Sequence, residues 1–448
     1  MTVIDIDSHF VEPLDWFEVG FPALAAQLPP MNLVDVFARS ARGDQELAPL
    51  PPAPRSHALA ALPAQLVPAL ERLAAAGSSG IDYAAALAQP TDARTAALGA
   101  PWRARGACDP GERLGFLDEH GIDHQFVLPG APGLDPFIRA GESRRPALAV
   151  DCLYAWNEWA AEALAGFEDR LTPVTLIDLT DVPRALAELT RMRALGSRCL
   201  NVCATIVGRR SWGHPDFEVV WATAEDYGMA VVLRSGTGRS LFDLGRGSGL
   251  AAPLPSHPPV APRGSPQIPE IVIGAMILTG VFDRHPGLAF LVSGFGIAWL
   301  PSWLQRLDGV GLGSCSGTGG ATRLALRSSD YAERQLYVAP QPGEALYPTI
   351  EQVRGIVHFA TGYPHPDGSL DATALFAEEM SAADSPRAAR FFGAQLAAQL
   401  NLAPAARPTG SGWSGPTIEP GRRARREERR ARPIDADTRH EDTPLIVD

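Results

Sequence analysis

From residue 112 onward the chain alternates short apolar runs with stretches of helical period, and this rhythm narrows the fold more than any other feature. Apolar runs fall at 122–128, 172–179, 197–203, 229–233, 288–292, 335–338 and 356–359. Helical patterns at 113–120, 147–167, 182–193, 217–227, 271–284 and 297–307 separate most of them, and helices at 370–380 and 385–399 follow. Strands joined by crossovers of this length must run parallel, and this many units favours a closed sheet over an open one. The expectation is a (β/α)8 TIM barrel of the α/β class.

An eleven-residue stretch, Val3-Ile4-Asp5-Ile6-Asp7-Ser8-His9-Phe10-Val11-Glu12-Pro13, supplies the first strand. Its alternation places Asp5, Asp7 and His9 on one face in a period of two. A carboxylate and an imidazole there would converge on one cation beyond the strand's C-terminal end, where such barrels carry their sites. A strand end feeding a turn at Glu12-Pro13 would look the same without any metal.

Composition excludes several chemistries. All 39 basic residues are arginines, so there is no Schiff-base lysine, no P-loop lysine and no carbamylated lysine to bridge two metals. The net charge of -12 argues against a nucleic-acid-binding surface. No run of eighteen apolar residues exists, and Met1-Thr2-Val3 leads straight into the strand, so neither membrane insertion nor a secretion signal is expected and the chain reads as cytoplasmic. The five cysteines are scattered without C-x-x-C spacing, which suits reduced packing residues.

The domain expected at 1–402 is interrupted after its first strand. Residues 14–110 carry Ala- and Leu-rich helical pieces punctuated by Pro29-Pro30, Pro51-Pro52 and Pro54, and read as a helical insertion placed to cap the site. Residues 239–269 are rich in Gly and Pro and read as a loop. Residues 403–448, with the arginine-rich run 422–432, lack an apolar face and are expected to be a disordered, charged tail.

Five segments in order carry a resemblance: Asp5-Ile6-Asp7-Ser8-His9, Gly121-Ile122-Asp123, the run from Gly280 to Leu288 that contains Asp283-Arg284-His285-Pro286, the run from Trp299 to Asp308, and Thr361-Gly362-Tyr363-Pro364-His365-Pro366-Asp367-Gly368. Together they resemble the amidohydrolase-related family, whose members include enzymes like aminocarboxymuconate-semialdehyde decarboxylase and resorcylate decarboxylase. That resemblance implies a barrel with one divalent metal at its C-terminal mouth. Two ligands would fall on Asp7 and His9, a third on a histidine ending the fifth strand, and a fourth on an aspartate after the last.

The chain departs from that pattern at several positions. Arg234 stands where the ligand histidine is expected, and a guanidinium repels a metal ion. Gly362 stands where the aspartate is expected. Phe295 and Ala298, with Gly294, occupy the region where relatives place a His or Glu. Residual metal candidates are Asp7, His9, Glu12 and His365, with Asp367 beside the last. Arg234 is expected either to pair with Asp7 as a salt bridge or to hold a substrate carboxylate or phosphate. Ser293 has a superficial likeness to a nucleophile elbow that turn chemistry explains better.

The expectation is therefore a divergent relative with a degenerate metal site and no cofactor. It would act as a binder of a small organic anion, or as a non-catalytic partner in a homodimer or a hetero-oligomer with an intact relative. The alternative is a working hydrolase or carboxy-lyase acting on a small carboxylate or amide, aromatic ones included, with one zinc or manganese ion held by Asp7, His9 and His365.

Overall fold

The apolar runs do become strands, and all of them are parallel. In the computed structural model, which describes residues 2–29, 31, 104–203, 207, 209–234, 266–312, 324–341, 344–353, 355–365, 368–369, 371–383 and 385–405, seven strands pair in chain order. They are β1 (Ile4–His9), β2 (His124–Leu128), β3 (Leu171–Ile177), β4 (Cys199–Val202), β5 (Ala230–Arg234), β6 (Phe290–Ser293) and β7 (Leu336–Val338). Most of the expected cap, most of the loop at 239–269 and the tail beyond residue 405 lie outside the described residues.

Among the described residues an eighth full strand is not formed; in its place the segment from Ile356 runs between the two ends of the sheet. Val357 makes a single parallel bridge with Val338. Further along, Ile6 N–H donates to Phe359 O, Gly362 N–H to Asp7 O at 2.8 Å, and His9 N–H to Tyr363 O at 2.7 Å. The seven strands and this segment make a curled, TIM-like sheet.

Helices follow the strands as the crossovers require. The first are α1 (Trp16–Gly20), α2 (Pro22–Ala25), α3 (Pro110–His120), α4 (Ala131–Glu142), α5 (Pro146–Ala163), α6 (Val182–Ala194) and α7 (Glu218–Asp226). Then come α8 (Gln267–Leu278), α9 (Val281–Arg284), α10 (Leu300–Leu312), α11 (Ser328–Gln335), α12 (Leu346–Gln352), α13 (Ala372–Glu379), α14 (Ser385–Phe392) and α15 (Ala394–Leu400). The α3 start is set by Asp109, whose side chain accepts from Glu112 N–H, and its stop by Gly121 at φ 67°. Two expected helices are each divided at a glycine. Gly280, at φ 81°, separates α8 from α9, and Gly393, at φ 138°, separates α14 from α15.

Alternate residues of the strands sort into two cores. Val231, Leu233, Phe290 and Val292 pack outward with the helices. Ile4, Ile6, Val232, Leu291 and Tyr337 pack inward on the concave face, joined by Leu396, Ala397 and Leu400 of α15. The latter helix therefore closes the end where the strands begin, with a Cβ at Gly393 only 3.0 Å from the Ile4 side chain. The opposite, C-terminal end is left for a site. Among the described residues no helix is long and apolar enough to cross a membrane.

Candidate site at the C-terminal end of the sheet

The chemistry expected at the end of β1 depends on an irregularity in that strand. Ile4 and Ile6 face the concave core, so strict alternation would bring Ser8 there next. Instead the pairing with β2 shifts between Asp5 and Ser8. Ser8 Oγ–H then donates back to Phe126 O at 2.9 Å, while Asp7 and His9 both reach Arg234 at the end of β5. This corrects the expectation that Asp5, Asp7 and His9 share one face: Asp5 belongs to a different network.

Arg234 binds both remaining members at once. Its Nε donates to Asp7 Oδ1 at 3.0 Å and its Nη2 to His9 Nε2 at 2.8 Å. A guanidinium can only donate, so His9 Nε2 is an acceptor and its proton lies on Nδ1, which donates to Pro129 O at 2.9 Å. The trio is enclosed, with Asp7, His9 and Arg234 exposed by 8%, 3% and 7%. Burial by itself raises the Asp7 carboxyl, but the Arg234 charge reverses this and holds it well below the usual range. The salt bridge between Arg234 and Asp7 is thus present, and it is buried.

His365 lies against this group, its ring centroid 5.5 Å from that of His9. Glu12 does not. Its Oε1 accepts from Gly130 N–H at 3.0 Å and Trp156 Nε1–H at 2.7 Å, and its Oε2 from Gly133 N–H at 2.9 Å. Burial pushes Glu12 up to about 7 in spite of those three donors. A Cβ at Gly133 would stand 2.3 Å from Glu12 Oε1, so this glycine makes the approach possible.

The other positions singled out in the sequence are scattered. Gly362 adopts φ 65° and spends its N–H on Asp7 O; a Cβ there would meet Gly368 Cα at 3.0 Å. Phe295 is buried among the outward-facing core residues. Ala298 is exposed, and its N–H, with that of Ile297, donates to the Glu344 carboxylate. Asp367 lies outside the described residues.

Two groups around the site were not foreseen. Arg113 of α3 is fully buried and donates to Gly106 O at 2.7 Å, His9 O at 2.8 Å and Gln125 Oε1 at 3.1 Å, with its guanidinium over the Tyr363 and Phe10 rings. Gln125 in turn donates to Asp5 Oδ2 at 2.8 Å, and Thr361 donates to Asp5 through both its N–H and its hydroxyl. Burial pushes Asp5 up to about 6 against these bonds. This chain of contacts fixes the end of β1 against 361–363. Arg113 and Gln125 lie in no motif, and only the tertiary structure brings them to Asp5, His9 and Thr361.

The donors in place do not fit a divalent metal. Among the described residues no three His, Cys, Asp or Glu side chains are grouped to hold one. Asp7 Oδ1 and His9 Nε2, the two atoms best placed to ligate, both point at a permanent cation.

A curled parallel sheet with its polar residues gathered at the strands' C-terminal ends defines a TIM-like α/β protein. Among solved structures the chain is similar to an amidohydrolase from Mycobacterium avium subsp. paratuberculosis, with 18% identity and a TM-score of 0.58 over 89% of this chain and 97% of that one. It is also similar to 2,6-dihydroxybenzoate decarboxylase from Rhizobium, with 15% identity and a TM-score of 0.53 over 90% and 99%. A third likeness is to 5-carboxyvanillate decarboxylase from Novosphingobium aromaticivorans, complexed with manganese and a nitrobenzoic acid, with 18% identity and a TM-score of 0.54 over 90% and 96%. No family model matches the chain, and no curated protein matches it by sequence. The chain has the fold of these proteins, and they belong to the group that its sequence motifs resemble.

Proposed function

We propose that this chain is an amidohydrolase-related protein that works on a small organic carboxylate, aromatic in the first instance, as a carboxy-lyase or hydrolase. What supports this reading is a fold shared over nearly the whole length with aromatic-acid decarboxylases, with Asp7, His9 and Arg234 gathered at the functional end. Arg234 is oriented by two buried partners, so it can neutralise a substrate carboxylate without reorganising. Loss of carbon dioxide from an aromatic acid leaves an electron pair on the ring carbon, which must take a proton. His365, beside His9, is the group in this reading that delivers it.

One observation favours a second reading. Because Arg234 engages both atoms that would bind a metal, the site also suits a binder of small anions, or a non-catalytic subunit in a homodimer or beside an intact relative. The two readings part in one experiment. The purified protein is incubated with 2,6-dihydroxybenzoate and with 5-carboxyvanillate, with and without added manganese, while its own metal content is measured. Turnover that His9→Ala abolishes supports the enzyme. No turnover of either acid, with or without manganese, overturns it in favour of the binder.

A further inference from the structure

At the same end of the sheet, one buried polar group has nothing to do in the structure as it stands. Ser293 closes β6, is 1% exposed, and its Oγ has no hydrogen-bond partner among the described residues. An unpaired buried hydroxyl is unfavourable, and the concave positions before it on the same strand, Ala289 and Leu291, are apolar. Alanine would serve packing equally well there, so packing does not explain the hydroxyl.

Its neighbour supplies the reason. In the pairing of β5 with β6, Ser293 stands directly opposite Arg234. Leu233 and Val292 face outward while Val232 and Leu291 face inward, so Arg234 and Ser293 lie on the concave face together. Paired residues of adjacent strands are separated by only ~5 Å. A fixed cation beside an unused hydroxyl donor matches an acceptor-only, planar anion with two oxygens. Asp7 and His9 hold the guanidinium in one orientation, which lowers the ordering needed on binding.

We infer that Arg234 and Ser293 form a carboxylate-binding pair, Arg234 supplying the charge and Ser293 Oγ–H donating to one carboxylate oxygen of a small organic acid. This deepens the reading proposed above and rests on it for the class of ligand. Ser293 is the residue that makes the end of β6 specific for an anion rather than for an uncharged ring.

Calorimetric titration of the full-length protein with benzoate and with 2,6-dihydroxybenzoate tests the inference. Ser293→Ala should weaken both by about tenfold, the worth of one hydrogen bond to a charged acceptor, and leave the thermal midpoint unchanged or higher. Ser293→Cys keeps the shape with a poorer donor and should fall between. Ser328→Ala, which removes another buried and unpartnered hydroxyl at the start of α11, outside the strands, should leave affinity unchanged. Equal affinity in wild type and Ser293→Ala overturns the inference while the carboxylate reading stands. A lower midpoint together with lost binding assigns the hydroxyl a structural role and also overturns it. No saturable binding of either acid to the wild type overturns the inference and the carboxylate reading together. Binding lost in Ser293→Ala without any turnover by the wild type keeps the inference and removes the enzyme.

Discussion

If Arg234 is held as a buried ion pair with Asp7, neutralising one partner should be far worse than neutralising both. Asp7→Asn keeps an acceptor for Arg234 Nε but takes away the negative charge that Asp7 sets against the guanidinium. Arg234→Met leaves the carboxylate stranded. The side chains are 4% and 12% exposed, so solvent does little to screen either loss. At ~4 Å between charge centres and an effective dielectric of ~20, the attraction is about 4 kcal/mol. Desolvation offsets part of it, so each single variant should lose about 3 kcal/mol and the double variant no more than either, a coupling of about 3 kcal/mol or more. Urea unfolding of the four proteins at pH 7, with unchanged slopes, measures this. The pH dependence has a fixed sign. Asp7 titrates lower in the folded chain than its ordinary 3.8, so its contribution is complete above 3.8 and declines as the pH falls toward the folded value. A coupling below about 0.5 kcal/mol would refute the ion pair as a structural element.

Three further outcomes follow from the same contacts. Glu12 is raised from 4.5 to about 7, so the folded state holds its proton longer than the unfolded chain and stability falls as the pH climbs between those values. Glu12→Gln should flatten that slope and cost about 1–2 kcal/mol at low pH through the Gly133 N–H it faces, read from thermal midpoints at pH 5 and 8. His358 is fully buried with Nε2 unpartnered, and burial lowers it from 6.5 to about 4, so it withdraws stability as the pH falls through that interval. His358→Met should raise the midpoint at pH 5 relative to wild type and change it little at pH 8. Arg234→His removes the resident cation and offers an imidazole beside Asp7 and His9. Dialysis against manganese followed by elemental analysis should show metal gained by that variant over wild type, and the same variant should lose affinity for benzoate.

The alternation of apolar runs and helical stretches predicts most of the sheet because each run is short, apolar and bounded by a helix stop such as Gly121, Gly196 or Gly228. What stayed hidden was hidden by local chemistry. Helix α4 contains Pro132, Gly133 and Pro136, residues that ordinarily mark loops, and it forms because its N-terminal N–H groups are taken up by Glu12 from a distant turn. The short helices α11 and α12 have too few residues for a period to show. The segment from Ile356 to Phe359 has the composition of a strand but makes one bridge, so composition alone does not count strands here.

The site was legible to the extent that strand ends were. Asp7, His9 and Arg234 are each the polar terminus of an apolar run, and a barrel brings such termini together whatever lies between. The period-two reading failed at the one place where β1 departs from period two, and that departure decides the chemistry. Without the shift between Asp5 and Ser8, regular alternation would turn Ser8 toward Arg234 and take the Asp7 carboxylate and the His9 lone pair away from the buried guanidinium. With it, a carboxylate and an imidazole lone pair meet the cation, and Asp5 is freed to tie β1 to Thr361. The Arg234 substitution and the β1 irregularity therefore depend on each other. Deleting Ile6 would make the pairing regular while keeping Ser8 opposite Val127 and His9 opposite Leu128, so Asp7 would take the inward position of Ile6 and the Asp7–Arg234 coupling should survive in that background. A coupling lost on that deletion would mean that the irregularity itself, and not the inward placement of Asp7 and His9, sets the geometry.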